Sequence, residues 1–227
     1  MSATLNIDGG GNAINNLLAE VRQLGGAITG DEIRLIMGAA VKEEVQQHLY
    51  ALSNDEGHHK TARSLGATPT GFYLHAADHT HDPQLEEQGV SVSIEQQGLA
   101  QRFYGGRIEG DPLLTIPARA EAYGKRASEF DNLRLIIWNQ DGAGDGQFIG
   151  GLVERDATVV NPRRGGFKQT KGRAKGDAIG GGLFYFLARW VDQSADPDVL
   201  PDEGVVLDSA LSAARNYIDR AWERKAA

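Results

Sequence analysis

Three closely spaced histidines are the residues of this chain most able to hold a metal ion. All six histidines lie between residues 48 and 81, and His75, His79 and His81 alternate with Asp78 and Asp82. On a helix, His75 and His79 would share one face, which is the i, i+4 arrangement that binds zinc in metalloproteases. Such a site would predict a metal-dependent hydrolase. The glutamate of that motif is absent, however, so the pattern favours a histidine-rich polar loop, and we predict neither a metal nor a cofactor.

Two glycine-rich segments could in principle bind phosphate or calcium. Gly180–Gly182 precedes an apolar segment, but it lacks the lysine and hydroxyl residue that complete a phosphate loop. The segment from Asp141 to Gln147 resembles the start of a calcium loop, but Ala143 and Leu152 occupy two of the positions that need oxygen ligands. The chain also has no cysteine. With no nucleophile beside a partnered base, the sequence predicts a protein that is not an enzyme.

The charge of the chain is distributed unevenly. Its formal net charge is −8, yet residues 161–176 contain six basic residues and no acidic one: Arg163, Arg164, Lys168, Lys171, Arg173 and Lys175. Flexible basic segments bind phosphate backbones without reading sequence, but the single aromatic residue, Phe167, is too little for a base-stacking platform. We therefore interpret residues 161–182 as a basic, glycine-rich arm that contacts DNA non-specifically, docks on an acidic protein, or is simply solvated.

The termini and the hydropathy pattern predict where the protein is made. No apolar run reaches the length of a membrane span, and residues 1–20 lack the basic and then apolar pattern of a signal peptide. We expect a soluble protein made in a cytoplasm, without membrane contact.

Four segments are predicted to be helical from the spacing of their apolar residues. Asn12 and Asp31 are the expected N-caps of the first two helices, and Asp208 is the expected cap of the last. The segments are 14–24, 31–52, 183–191 and 208–222.

Short strands are predicted in the middle of the chain. Residues 90–94 alternate between apolar and polar, and 99–104 are interpreted as the return strand after a turn at Gly98. Residues 133–138 are apolar enough for a strand buried on both faces, further strands are expected at 148–152 and 157–160, and 53–71 is expected to be a loop. Together these elements predict a single α+β domain over residues 1–227, with a central, mainly antiparallel sheet, flanking amphipathic helices and a flexible N-terminus at 1–11.

Residues 101–130 form a separate pattern without reactive groups. Gly105 and Gly106 indicate a turn, and an apolar run at Leu113–Ile116 ends at Pro117. The polar stretch that follows is expected to be a helix or an extended arm in which Tyr123 and Phe130 are packing anchors. This segment is therefore predicted to fix subunit geometry.

The same segment carries a resemblance to a known family, the phage virion morphogenesis proteins. The resemblance covers roughly residues 30–220 and consists of spaced short motifs, without an invariant catalytic residue. The matching pieces are the helix 31–52 ending near His48-Leu49, Phe72-Tyr73, Ala76-Ala77, Tyr104-Gly105-Gly106, Leu114–Pro117, Glu121–Gly124, Arg126–Phe130, Leu187 with Trp190-Val191, and Asp196-Pro197 with Leu200-Pro201.

This resemblance implies a structural protein of the neck or tail-completion region of a tailed phage. Proteins of this family are α+β subunits that form rings, often six- or twelve-fold, and join the tail to the connector or terminate the tail tube. The implied partners are further copies of the chain and the connector, tail-tube or capsid proteins, with genomic DNA in the channel as a non-specific contact. The implied location is the virion, after assembly in the host cytoplasm. The alternatives are the hydrolase using His75, His79 and His81, and a DNA-binding accessory protein.

Overall fold

The structure is a computed structural model that describes most of the 227-residue chain. The described residues are 3–6, 15, 30–87, 89–137, 147–155, 158–161, 166–168 and 182–226. The first predicted helix (14–24), the turn at 141–146 and most of the basic arm lie outside them, apart from Asn15 and the two short strands given below.

The described elements are helices and antiparallel strands, which confirms the α+β prediction. The helices are α1 (Gly30–Asn54), α2 (Lys60–Leu65), α3 (Phe72–Asp78), α4 (Leu99–Tyr104) and α5 (Glu203–Ala226). The strands are β1 (Ala3–Asn6), β2 (Gln84–Leu85), β3 (Val90–Ile94), β4 (Gly106–Pro117), β5 (Leu133–Ile137), β6 (Phe148–Glu154), β7 (Thr158–Asn161), β8 (Gly166–Lys168) and β9 (Leu183–Gln193). No helix of the described part is both long and apolar enough to cross a membrane.

The chain forms two compact units, each discontinuous in sequence. Unit 1 comprises Met1–Asp55, Gly71–Gly105 and Ser194–Ala227, and unit 2 comprises Glu56–Thr70 and Gly106–Gln193. Because each unit is built from separated segments, no cut at a single position would divide them. The single domain stays a prediction.

Unit 1 is organised around helix α1. Its buried residues recur every three or four positions and form one stripe: Ile33, Met37, Val41, Val45, Leu49 and Leu52. This stripe packs with residues of α3, β3 and α5 in one core. The amphipathic pattern thus predicted both the helix and its buried face, although Asp31 lies in the first turn of the helix rather than before it.

A small antiparallel sheet, sheet A, covers part of that core. Its strand order is β1-β3-β2, and β1 pairs with β3 from Ala3 opposite Ile94 to Asn6 opposite Ser91. Helix α1 approaches this region closely at Gly38, since a Cβ there would lie 2.5 Å from Cβ of Pro83. The predicted strand at 90–94 is confirmed.

One element prediction in unit 1 is wrong, and the last helix is confirmed but starts earlier than predicted. Residues 99–104 form helix α4 rather than a return strand, because Gly98, with φ of 85°, turns the chain into a helix. Helix α5 begins at Glu203 rather than at Asp208. The carboxylate of Asp202 accepts a hydrogen bond from the backbone N–H of Gly204 at 2.8 Å, which satisfies a donor at the helix start.

Unit 2 contains the four-stranded antiparallel sheet B, of strand order β4-β9-β6-β5. The prediction of a helix at 183–191 is wrong, because these residues form β9, a central strand of this sheet. A strand covered on both faces has apolar residues at nearly every position, and such a run also matches helical spacing. Leu183, Phe184, Tyr185 and Leu187 are all buried.

The exposure of β5 also differs from its prediction. Residues 133–137 form a strand, but it is the edge of sheet B rather than a strand buried on both faces. Residues 53–71 are not a simple loop, since they contain a 3-10 turn at Glu56–His59 and helix α2. The strands expected at 148–152 and 157–160 are confirmed as β6 and β7.

Candidate assembly surface

The structure does not bring the three predicted histidines together as a ligand set. His75 lies in the last turn of α3, and Nδ1 of His79 donates to the carbonyl oxygen of His75 at 2.8 Å. Nε2 of His81 lies 3.2 Å from the carboxylate of Glu95. Within the described ranges, no group of three or more His, Asp or Glu side chains is placed to hold a metal ion.

The aspartates of this segment have partners on helix α1. Asp78 accepts a hydrogen bond from the hydroxyl of Tyr50 at 2.8 Å. Asp82 lies 2.7 Å from Nζ of Lys42, and this ammonium group holds the pKa of Asp82 below its ordinary value. The polar groups of residues 75–82 therefore bind neighbouring side chains and backbone.

Most of the basic arm lies outside the described residues. Strands β7 and β8 form a short antiparallel hairpin in which Lys168 stands opposite Thr158. Arg163 and Arg164 fall in the connection between these strands, and Lys171, Arg173 and Lys175 follow it, so these five lie outside the described residues. The hairpin shows only where in the fold this basic segment begins.

The segment after β4 is fixed to strand β9 by aromatic residues. The register between β6 and β9 shifts between Leu152 and Val153, and this irregularity lets the consecutive residues Phe184 and Tyr185 pack in one cluster. Phe130 contacts both, with ring centroids 4.9 Å and 6.1 Å away. Phe130 is therefore a packing anchor, as predicted. Tyr123 is half-buried to a similar degree, but it is not among the residues packed on this cluster.

The Tyr185 hydroxyl also holds the segment after β4 in place, through hydrogen bonds to its backbone. It lies 3.2 Å from the carbonyl oxygen of Ala122 and 3.0 Å from that of Lys125, and donates to them. Burial raises the pKa of Tyr185 above its ordinary value, and the negative charge of Glu129 raises it further. The residues predicted to be a helix or arm are instead two 3-10 turns, Ala120–Ala122 and Ala127–Glu129.

Basic side chains cover the outer faces of this aromatic cluster. The guanidinium of Arg119 stacks 4.6 Å from the ring centre of Phe184 and forms an ion pair with Glu121. Nζ of Lys125 lies 5.6 Å from the ring centre of Phe130. Because cations are attracted to aromatic faces, these charges help hold the segment in one conformation.

A comparable arginine–aromatic contact stabilises unit 1. Arg102 of α4 lies over the rings of Phe72 and Tyr73, at 5.0 Å and 5.3 Å, and donates a hydrogen bond to the Tyr73 hydroxyl. Burial raises the pKa of Tyr73, although the charge of Arg102 opposes this effect. The sequence analysis singled out Phe72 and Tyr73 but not Arg102.

The two edges of sheet B differ in regularity. At edge strand β4, the register shifts between Glu109 and Leu114, so the residues between them leave the ladder with β9. A Cβ at Gly110 would overlap backbone atoms of Leu113 and Leu114, which shows how tightly the chain folds here. Proline, charges and bulges are features that prevent a further strand from pairing with an edge, and Asp111 and Pro112 lie within this irregular stretch.

Edge strand β5 is regular and apolar. It pairs with β6 without a shift, from Leu133 opposite Glu154 to Ile137 opposite Gly150. The side chains of Leu135 and Ile137 are 55% and 45% exposed. A regular edge with exposed apolar side chains is a template for another strand, so β5 is the candidate assembly surface.

The exposure of this surface differs from the prediction of a strand buried on both faces. A run of apolar residues is typical of a buried strand, and Leu133–Ile137 has four of them. The signal that could have indicated an edge is Arg134, because a charged residue in the middle of a strand is rare when both faces are buried. The edge position itself depends on strand order, which local sequence does not specify.

Comparisons with known proteins were negative. No family model, no curated protein and no solved structure matches this chain.

Proposed function

We propose that this protein is a structural subunit of a tailed-phage virion, acting at the neck or in tail completion. It binds further copies of itself in a six- or twelve-fold ring and links the tail to the connector or capsid. Rings of this kind need heterologous interfaces that close by rotation.

One observation carries the proposal: motif pieces that lie far apart in sequence are adjacent in unit 2. Strand β4 contains Leu114–Pro117 and pairs with β9, where Thr115 stands opposite Leu187 and Glu109 opposite Trp190. The piece Arg126–Phe130 packs on β9 through Phe130. The pieces that carry the resemblance therefore belong to one packed structure in this chain, which supports interpreting them together rather than as unrelated short motifs.

The motif pieces in unit 1 are also positions of structural importance. Tyr73, Ala76 and Ala77 are buried in the core formed with helix α1. The backbone N–H of Asp196 donates to the carbonyl oxygen of Arg102 at 3.0 Å, and this bond connects a further motif piece to α4. A family defined by such residues would preserve a shape, as an assembly subunit requires.

Within this proposal, the six basic residues of the arm contact an acidic partner or the DNA that passes through the ring. Only a contact with DNA predicts an affinity for duplex DNA that depends on salt. Binding to random duplex DNA should weaken steeply with salt if the arm contacts phosphates, and replacing all six residues by glutamine should reduce the salt slope. An affinity for DNA and a salt slope that do not change when the six residues are replaced would mean that the arm does not contact DNA.

The proposal is tested by the assembly state and by location. Native mass measurement of the purified full-length chain should give particles of six or twelve copies of a 24.5 kDa protein, and electron microscopy should show annular particles. Antibody labelling of virions from the phage or prophage that encodes the chain should mark the head–tail junction.

A pair of variants tests whether the packing of the aromatic cluster is needed for ring formation. Phe130→Ala removes an anchor of the aromatic cluster, whereas Leu85→Ala changes an exposed leucine of unit 1. We expect only the first to reduce ring formation. A chain that stays monomeric at high concentration and labels no part of the virion would refute the proposal.

A further inference from the structure

We propose that strand β5 pairs with β5 of a second copy of this chain, antiparallel and about a two-fold axis at Leu135. The contact extends sheet B of one copy into sheet B of the other. It is independent of the proposed phage role, since any assembly of this chain could use it.

Strand β5 forms one edge of sheet B. In the described part of the chain, β5 has a strand partner on one side only, β6. Unpaired N–H and C=O groups along a sheet edge bind another strand readily, and β5 has no bulge, proline or glycine to prevent this. The other edge of the same sheet has all three, so within the described residues β4 is the more protected of the two edges.

Exposed apolar side chains lie on the same face of β5. Alternate residues of a strand share one face, so Leu135 and Ile137 lie on the same face of β5. Leu135 is more than half exposed, and Ile137 nearly half. Pairing would cover both with the corresponding residues of the second copy.

The residues of β5 are compatible with antiparallel pairing to themselves, which favours a second copy of the chain as the partner. With Leu135 opposite Leu135 of the other copy, all five residues of β5 are paired, and Leu133 stands opposite Ile137. A register centred one residue earlier would place Arg134 directly opposite its own copy, and like charges in that position are destabilising. In the proposed register Arg134 stands opposite Ile136, and Leu133, Leu135 and Ile137 each meet an apolar residue of the second copy.

The contact would complement a ring rather than compete with it. A two-fold contact uses the same patch on both subunits, whereas a ring closes through two different patches. Two six-fold rings joined through β5 would contain twelve copies. Loss of the β5 contact would then reduce twelve copies to six, whereas failure of the phage role would leave the β5 contact intact.

Cysteine cross-linking tests the contact and its register, because the chain has no cysteine of its own. Directly opposite residues in an antiparallel pair have Cα atoms about 4.5–5.5 Å apart, within the range that a disulfide spans. The full-length Leu135→Cys variant, oxidised with copper phenanthroline, should therefore run at twice its mass on a non-reducing gel. The exposure of Leu135 makes it a position that tolerates this change.

The matched control is Ile137→Cys. In the proposed register Ile137 lies four residues from its own copy along the strand, about 13 Å away, so this variant should not cross-link with itself. A mixture of Ile137→Cys and Leu133→Cys chains should cross-link. Equal cross-linking of Leu135→Cys and Ile137→Cys would indicate random collision, and that result, or no cross-linking of Leu135→Cys, would overturn the proposal.

A second variant tests the contact without any covalent bond. Leu135→Asp places two carboxylates opposite each other and should raise the dissociation constant of the pair about tenfold or more. Analytical ultracentrifugation across a concentration series gives this constant, and circular dichroism shows whether the variant remains folded. A folded variant with unchanged association would also overturn the proposal.

Discussion

The two edge strands of sheet B differ in how readily they could pair with a strand of another molecule. Strand β4 is long but leaves the ladder between Glu109 and Leu114, and it carries a proline and an aspartate within that interruption. Strand β5 is short, regular and apolar, with Leu135 and Ile137 exposed. Both lie in one sheet and share its twist, so the difference comes from their residues.

This difference indicates that the residues of an edge strand decide whether it can accept another strand. An exposed apolar edge promotes aggregation unless a specific partner covers it. A protein with a bulge, a proline and an aspartate in β4, but only Arg134 in the short strand β5, is consistent with a partner for β5. The predictions below test what maintains each edge, beginning with the largest expected effect.

Gly110→Ala should disrupt the irregular part of β4. A Cβ at this position would overlap three backbone atoms of Leu113 and Leu114, so the interruption would have to rearrange. We expect the free energy of unfolding to fall by about 3 kcal/mol, measured by urea denaturation. An unchanged midpoint would mean that the interruption is not a tight structure.

Gly150→Ala should loosen the other edge. A Cβ here would overlap the carbonyl oxygen of Ile136 on β5, with other atoms at ordinary or slightly short distances. We expect a loss of about 2 kcal/mol and faster amide exchange in β5 than in β4. Gly89→Ala is the control, because nothing lies within 4 Å of a Cβ there.

Tyr185→Phe should release the segment that packs over the start of β5. The change removes the hydroxyl that donates to the carbonyl oxygens of Ala122 and Lys125, while the ring remains. A lost hydrogen bond of this kind costs about 1 kcal/mol, which lowers the melting temperature of a chain of this size by about 2–4 °C. A larger loss would show that Phe130 and Leu133, which pack on this cluster, move as well.

The same tyrosine predicts a dependence on pH. The folded protein raises the pKa of Tyr185 above 10.0, so the folded state retains this proton longer than the unfolded state does. Its contribution to stability is complete below pH 10 and is lost as the pH rises through the folded pKa. The difference in unfolding free energy between the wild type and Tyr185→Phe should therefore narrow above pH 10, and a constant difference would contradict the assigned burial.

Leu135→Thr should have the smallest effect on folding. The side chain is exposed, and threonine suits a strand, so the free energy of unfolding should change by less than about 0.5 kcal/mol. Self-association should nevertheless weaken in sedimentation experiments. The matched change on the other edge, Leu114→Thr, should alter stability more, since Leu114 is half-buried, and association less.

Long amphipathic stripes were predictable from the sequence, whereas central and edge strands were not. The stripe of α1 extends over six turns with a polar opposite face, so only a helix satisfies it. In β9, buried residues on both faces hide the two-residue period of a strand, and Leu183, Leu187 and Val191 then match helical spacing. Local spacing contains no information on which neighbours cover a segment.

The candidate assembly surface also shows that local sequence does not specify which residues of a strand are exposed. Phe130 was predicted, together with Tyr123, as a packing anchor of a segment without reactive groups. Leu135 was expected to be buried because its neighbours are apolar, and only the strand order β4-β9-β6-β5 places it at an edge. The basic arm was identified by charge alone, and its contacts stay a prediction.

The discontinuity of the two units has a consequence for synthesis on the ribosome. Every segment of unit 2 precedes residue 194, so sheet B can close before helix α5 leaves the ribosome. Unit 1 needs Val206, Ala210 and Ala214 of helix α5 to complete its core, and these emerge last. At about 5–20 residues per second, the nascent chain would leave the part of the α1 stripe that packs on α5 exposed until the final segment leaves the tunnel. During this interval the first half of the protein is the part that most needs a chaperone.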